Sequence, residues 1–446
     1  MKEELSVPSK AALDGLAERV HEPRKQPRWR SQSQRDHDRL LYSSAFQRLG
    51  GITQVTASET GQPFHTRLTH SLKVAQVAGR SAERLKKQRK EGELSGSADA
   101  VVHALDVDAT ESAALAHDIG HPPFGHLAEV VLNSKAIKVG GFEGNAQSFR
   151  VVTRLAHRNA KPGLDLTRQT LNGMLKYPWL RKPEGEKRRT KWGAYDSDQA
   201  ALDFARKHSK DGQRSIEACL MDWADDITYA VHDFDDFTRA GLIPTDLLLR
   251  DDGERERLKQ RLENEPEIPR SGFSPDALMS ALEEPLKHLD LAGPYQGTRE
   301  QRIALRSFGS MLITRYVEAV AVEATTGRKA QIVIEEEAVV QVASLKALTM
   351  LYVVFRPPLA LIQHGQAKVI GDLWEWFWDA TDEKGDSRVL PPAYRARLVD
   401  DNSDEGRARL VTDLVASMTE SAAVELHGRM GGYAGGTVLD AAARTL

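Results

Sequence analysis

Apolar positions recur at three- and four-residue spacing along most of this chain, and alternate with polar ones in only one stretch. The segment "DRLLYSSAFQRL" places Leu40, Leu41, Ala45, Phe46 and Leu49 on one broad stripe, which predicts helix from Arg35 onward. "THSLKVAQVAGRSAERLKKQ" predicts a second helix, with Thr69 as N-cap and a basic end that suits the helix dipole. Residues 87–108 are charged and rich in small side chains and read as a loop. Helical patterns follow over 145–158, 165–177, 197–208 and 213–232, interrupted by a basic loop at 180–193. "DDGERERLKQRLENEPEIPRSG" reads as a solvated helix followed by a turn. The alternating stretch is "EAVAVEATTGRKAQIVIEE" (318–336), two β-branched runs flanking Thr326-Gly327, which predicts a small hairpin. A buried helix then runs to Pro357-Pro358, and two more helices complete the chain. The fold class expected is mainly α with a minor β-hairpin. Residues 1–34, polar and basic, read as an arm outside the core.

Composition narrows the function classes. A net charge of -3 over 446 residues excludes a global polyanion-binding face, so any nucleotide or nucleic-acid contact rests on local clusters. The single cysteine, Cys219, excludes an internal disulfide framework and a cysteine-based zinc site, and fits a reducing cytosol. Its apolar helical surroundings read as those of an inert core thiol. The N-terminus carries no apolar signal region, and no run approaches the ~18–20 apolar residues of a membrane helix. The expectation is a soluble cytoplasmic protein.

Chemistry concentrates in "AALAHDIGHPPFGHLAEVVL" (113–132), which gathers His117, Asp118, His121 and His126 from a chain with 14 histidines. Adjacent residues in a straight helix point about 100° apart, but Gly120 lets the backbone turn, so His117 and Asp118 can converge at a helix end. A His and an Asp suit Mn, Fe, Co, Ni or Zn; Mg is harder to hold with imidazoles. Further ligand candidates are His70, at the start of an amphipathic helix, and the i, i+4, i+8 series Asp225, Tyr229 and Asp233. That series is costly inside a core unless paired or metal-bound. Asp235 and Asp236 read as solvated surface, and His103, His157, His208, His288 and His427 as structural or surface histidines.

The pattern His70, His117-Asp118, Asp225 resembles the HD phosphohydrolase superfamily. The strings "RDHDRLLYSSAFQRLGGITQV", "HTRLTHSLKVAQVA", "AALAHDIGHPPFGHLAE", "FEGNAQSFR" and "MDWADDITYAVHDFDD", in this order, resemble its deoxyguanosinetriphosphate triphosphohydrolase (dNTPase) family. "HDIGHPPFGH" is the most specific of them. The resemblance is strong over about 35–240 and continues more weakly to about 425. It implies an HD-domain helical fold, with an N-terminal arm at 1–34, a core at 35–240 and a helical C-terminal region at 241–446 packed on it. It implies a divalent metal (Mn, Mg, Co, Fe or Ni) on His70, His117, Asp118 and Asp225, and catalytic roles for His126 and its acidic partner Glu129. His121 is then directed at phosphate.

For the substrate, the same resemblance implies Arg67, Lys176 and Lys191 near the triphosphate, with Arg356 as a further phosphate candidate. Asp233 falls on the 3′-hydroxyl position, Tyr229 on the 2′ edge, and Gln54 near sugar or base. Two positions depart from the family pattern. Gln47 stands where "AFRRL" is usual, and "MTES" (Met418 to Ser421) where "MTDR" is usual. Neither touches the metal set; they bear on effector binding, subunit contacts or base preference. The implied reaction is hydrolysis of a dNTP to deoxynucleoside and triphosphate in a homo-oligomer. A dNTP effector and single-stranded DNA are open as further partners. The rival readings are another HD-type nucleotidase or phosphodiesterase, and a single-stranded nucleic-acid-binding regulator using "RLKKQRK" and "LRKPEGEKRRTK".

Overall fold

The computed structural model describes residues 1–21, 29–54, 65–158, 160–182, 190–265, 272–291, 293–327 and 329–434. Helices dominate, as the periodicity predicts. Those that build and support the site are α1 (Gln32–Leu41), α2 (Arg67–Lys90), α3 (Val107–Ala116), α4 (His126–Lys135), α5 (Gly144–Arg150), α6 (Ile216–Arg239), α7 (Arg299–Glu318), α8 (Glu336–Thr349), α9 (Pro357–Ala380), α10 (Asp404–Ala416) and α11 (Glu420–Met430).

The hairpin forms from β2 (Val320–Ala324) and β3 (Lys329–Ile334), with Val320, Val322, Ala330, Ile332 and Ile334 facing inward. A third strand joins it. β1 (Lys2–Ser6) pairs antiparallel with β3, from Lys2 opposite Val333 to Ser6 opposite Lys329, giving the order β1-β3-β2. The described parts of the arm expected at 1–34 are therefore built into the fold, residues 22–28 lying outside the described residues. Leu5 is buried, and Arg19 forms a buried ion pair with Asp36 of α1 at 2.6 Å. A strand that completes a sheet edge needs little more than free backbone groups opposite it and one inward apolar side chain.

Three local boundaries differ from the sequence reading. Thr66, not Thr69, caps α2; its hydroxyl accepts from the Thr69 amide, so Arg67 lies inside the first turn. The loop expected at 87–108 is largely helical, because α2 extends to Lys90 and Gly96–Ala104 buries Ala98, Val101 and Val102. Pro357 opens α9 as well as following α8, with a π-helical turn at Met350–Val354 between them. Proline suits a first helical turn, where its missing N–H is no loss. Among the described residues one segment, Glu336–Val354, is long and apolar enough by composition to cross a membrane, but it is mostly buried and α8 packs against α6.

The apolar interior falls into two main clusters. The larger contains Val74 and Val77 of α2, Ala113 to Ala116 and Ile119 around α3, and the apolar face of α6. The second contains Ala128 and Leu132 of α4, Ile370, Leu373, Trp374 and Phe377 of α9, and Val411, Leu414 and Val415 of α10. Trp374 is core: it stacks on Trp378 and donates to the Thr412 hydroxyl at 3.1 Å. Cys219 is buried in the larger cluster, and burial pushes its thiol pKa up, which leaves it inert.

Candidate active site

α3 ends at His117, and the chain then turns sharply through Gly120 before the prolines. Glycine is required there: a Cβ would lie 2.1 Å from the Ser148 amide nitrogen of α5. The Ser148 hydroxyl fixes this turn from both sides, donating to the His117 carbonyl at 2.7 Å and accepting from the Gly120 amide at 3.0 Å. Arg48 binds the next stretch, donating to the carbonyls of Ile119, His121 and Met418 at 2.8–3.0 Å. Beyond Pro122-Pro123 the chain takes positive φ at Phe124 (65°) and Gly125 (58°). The Phe124 amide is secured by the Glu420 carboxylate at 3.2 Å, which also accepts from the Thr53 amide and hydroxyl. Of the two departures from the family pattern, Gln47 is exposed beside Arg48, whereas Glu420 of "MTES" is one of the joint's supports.

On the near side of the joint, ligand atoms of His70, His117 and Asp118 lie within 4.8 Å of one another, all buried. Asp225 of α6 joins them, its Oδ1 3.0 Å from His70 Nε2 and 3.7 Å from His117 Nε2. His117 Nδ1 donates to the Ala114 carbonyl at 2.6 Å, which leaves Nε2 with a free lone pair; that atom is buried and has no hydrogen-bond partner among the described residues. Burial pushes the His70 pKa down, favouring the neutral ring that binds metals. Asp118 is buried and Asp225 half-buried, and desolvation alone would raise their pKa values. The neighbouring basic groups outweigh it and hold both carboxyls below their usual range: His117, His121 and Arg67 for Asp118, and His70, His117 and Lys176 for Asp225.

On the far side stands a second group, His121, His126 and Glu129. Glu129 Oε1 lies 3.0 Å from both His126 Nδ1 and His121 Nε2. The His126 side chain is 79% exposed, whereas Glu129 is 9% exposed. His121 Nδ1 is 3.1 Å from Asp118 Oδ1, so this imidazole bridges the two groups through their carboxylates. Burial opposes ionisation of Glu129, but the two imidazoles outweigh it and keep its pKa well below the ordinary value. Gly144 opens α5 against this cluster. A Cβ there would meet His121 Cε1 at 2.9 Å and Glu129 Oε1 at 3.1 Å, a role the string "FEGN" carries.

The HD domain pattern matches residues 67–230, and the phosphohydrolase-associated domain residues 332–429. A Streptomyces coelicolor protein named deoxyguanosinetriphosphate triphosphohydrolase-like protein is 36% identical over 438 residues, covering 94% of this chain and 96% of that protein. A Corynebacterium efficiens protein of the same name is 36% identical over 424 residues, covering 91% and 92%. One from Bifidobacterium longum is 31% identical over 416 residues, covering 89% and 82%. The chain belongs to this triphosphohydrolase-like family of HD-domain phosphohydrolases. HD domains are metal-dependent. The donor set fits a divalent ion: two imidazoles and two carboxylates, one of the imidazoles presenting an orphaned buried nitrogen.

The remaining predicted residues are distributed around these two groups. Arg67 Nη1 donates to Asp118 Oδ2 at 2.6 Å, and Lys176 Nζ lies 2.5 Å from Asp222 and 3.8 Å from Asp225 Oδ2. Lys191 Nζ is 3.0 Å from Glu143 and 3.5 Å from Glu129 Oε2. Neither lysine is a plain surface cation. Tyr229 and Asp233 follow Asp225 along α6; Asp233 is buried, its Oδ2 has no partner among the described residues, and burial pushes its pKa well up. Gln54 Oε1 is likewise buried and unpaired among the described residues, with residues 55–64 lying outside them. Arg356 is exposed at the start of α9 and joins no ion pair with either group among the described residues. Asp236, expected on the surface, is buried, because His65 covers it and donates its amide to the carboxylate at 3.1 Å. Asp222, Glu143, Arg48 and Glu420 escaped the sequence reading; each acts through a contact distant in the chain.

Proposed function

We propose that this protein is a metal-dependent deoxynucleoside triphosphate triphosphohydrolase, which cleaves a dNTP to deoxynucleoside and intact triphosphate. The observation that carries the reading is the pairing of a four-residue donor set, buried at His70, His117 and Asp118 and half-buried at Asp225, with an exposed imidazole backed by a buried carboxylate. His70, His117, Asp118 and Asp225 would hold the metal. When bound, a divalent ion supplies Lewis-acid stabilisation of the α-phosphate and activates water.

Cleavage to triphosphate requires attack at the α-phosphorus with the 5′-oxygen leaving. An alkoxide leaves poorly, so a proton donor is needed at that oxygen. His126 meets the requirement: its ring is open to substrate, and Glu129 at 3.0 Å from Nδ1 fixes its orientation. His121, between Asp118 and Glu129, keeps these two carboxylates ionised and apart. Arg67, Lys176 and Lys191 neutralise the triphosphate. Asp233 and Gln54 offer unpaired acceptors to sugar hydroxyls or the base, and Tyr229 bounds the 2′ edge.

The test is purified protein with each dNTP and Mn or Mg, products resolved by chromatography. Triphosphate and deoxynucleoside are expected. Release of pyrophosphate or orthophosphate instead would point to another HD-type nucleotide phosphohydrolase and overturn the reading.

A further inference from the structure

The phosphohydrolase-associated domain sends one side chain back to the α6 wall of the site. Lys346, on α8, forms an ion pair with Asp226 and places its ammonium 5.6 Å from the centre of the Tyr229 ring. Asp226, Tyr229 and Asp233 stand at i, i+3 and i+7 on α6, one stripe of the helix, with Asp226 adjacent to the proposed ligand Asp225. Tyr229 is half-buried on this stripe, and the Lys346 ammonium is the charged group that faces its ring. Packing and the cation over its face are therefore what hold this ring, since the positive charge is drawn to the π-face. Asp226 in turn anchors the long lysine chain, which would otherwise sample many rotamers.

We propose that Lys346 is a positioning residue for sugar discrimination, holding the Tyr229 ring where it excludes a 2′-hydroxyl; this rests on the dNTP reading above. The associated domain thereby acts on substrate choice without contributing a residue to the chemistry. Loosening the ring lets a ribonucleotide fit better while leaving the metal donors and His126 in place.

The experiment measures kcat/KM for matched pairs, dATP against ATP and dGTP against GTP. It compares the wild type with Lys346→Met, Lys346→Arg and the double variant Asp226→Asn/Lys346→Met. Lys346→Met is expected to lower the dNTP/NTP ratio about 10-fold, chiefly through KM, with bound metal unchanged. Lys346→Arg, which keeps a cation over the ring, is expected to restore the ratio. The double variant leaves no unpaired carboxylate, so a lowered ratio there isolates the loss of the cation from any loss of folding. Wild-type discrimination in both Met-containing variants overturns the inference alone. A wild type that hydrolyses no dNTP to triphosphate overturns the underlying reading, and this inference with it.

Discussion

The two halves of the joint at 117–129 belong to different parts of the molecule. His117 and Asp118 close a helix of the larger core, bounded by α2, α3 and α6. His126 and Glu129 open α4, whose Ala128 and Leu132 belong to the second core, with α9 and α10. The first group buries His70, His117 and Asp118 and half-buries Asp225, whereas the second exposes its outermost imidazole and buries the carboxylate and His121 behind it. Burial keeps an imidazole ligand such as His70 neutral, while the neighbouring basic groups keep the carboxylate ligands ionised. Exposure suits a group that must hand a proton to a substrate atom arriving from outside. One short string carries two groups because each core fixes one, and the prolines set the angle between them.

The largest expected effect breaks the buried half. Asp225→Ala removes the donor that faces both His70 and His117, and is expected to lose bound metal together with turnover, on the order of 10³-fold or more. Metal analysis and steady-state kinetics on the same preparation check this.

The next acts on the seam between the cores. Asp413 of α10 is fully buried and binds Arg150 of α5 at 3.0 Å and Arg397 at 2.6 Å. Asp413→Asn leaves the buried Arg150 paired only with Asp198, and is expected to cost about 3–5 kcal/mol in denaturant unfolding. Burial alone would raise the Asp413 pKa, but Arg150 and Arg397 outweigh it and depress the value below the carboxylate range. A depressed folded value stabilises above the unfolded pKa of about 4, and that contribution is lost as pH falls below it. Thermal stability should therefore fall as the wild type is acidified below about pH 4, and fall less steeply in the variant.

The smallest effect has the opposite sign. Asp233 has a raised pKa because it is buried with Oδ2 unpaired, so its ionised form works against folding at neutral pH. Asp233→Asn is expected to stabilise the protein by about 1 kcal/mol while weakening substrate binding, seen as a higher midpoint in thermal unfolding and a higher KM. A lower midpoint would show that the carboxylate has a structural partner.

Much of this was legible in sequence because the signals are local. Helical periodicity locates the site-bearing helices, and the alternation around Thr326-Gly327 locates β2 and β3. His70, His117, Asp118 and Asp225 do converge, although they come from three separate stretches. What stayed hidden depends on distant partners. β1 is five residues of ordinary polarity until β3 supplies an edge. Asp236 looks solvated until His65 covers it, and Lys346 looks like one more basic residue on an apolar helix until α8 packs on α6. Glu420 reads only as a departure from a pattern, yet it secures the strained turn at Phe124. His121 was expected to face phosphate; the structure seats it between Asp118 and Glu129, a distinction of tertiary geometry alone.

The division of labour across the joint is tested most directly by bound-metal content and turnover measured on one preparation of His126→Ala. Metal equal to the wild type is expected, with turnover lower by about 10²–10⁴-fold. Metal lost in step with turnover would contradict it, and would make the exposed imidazole a ligand instead of an acid.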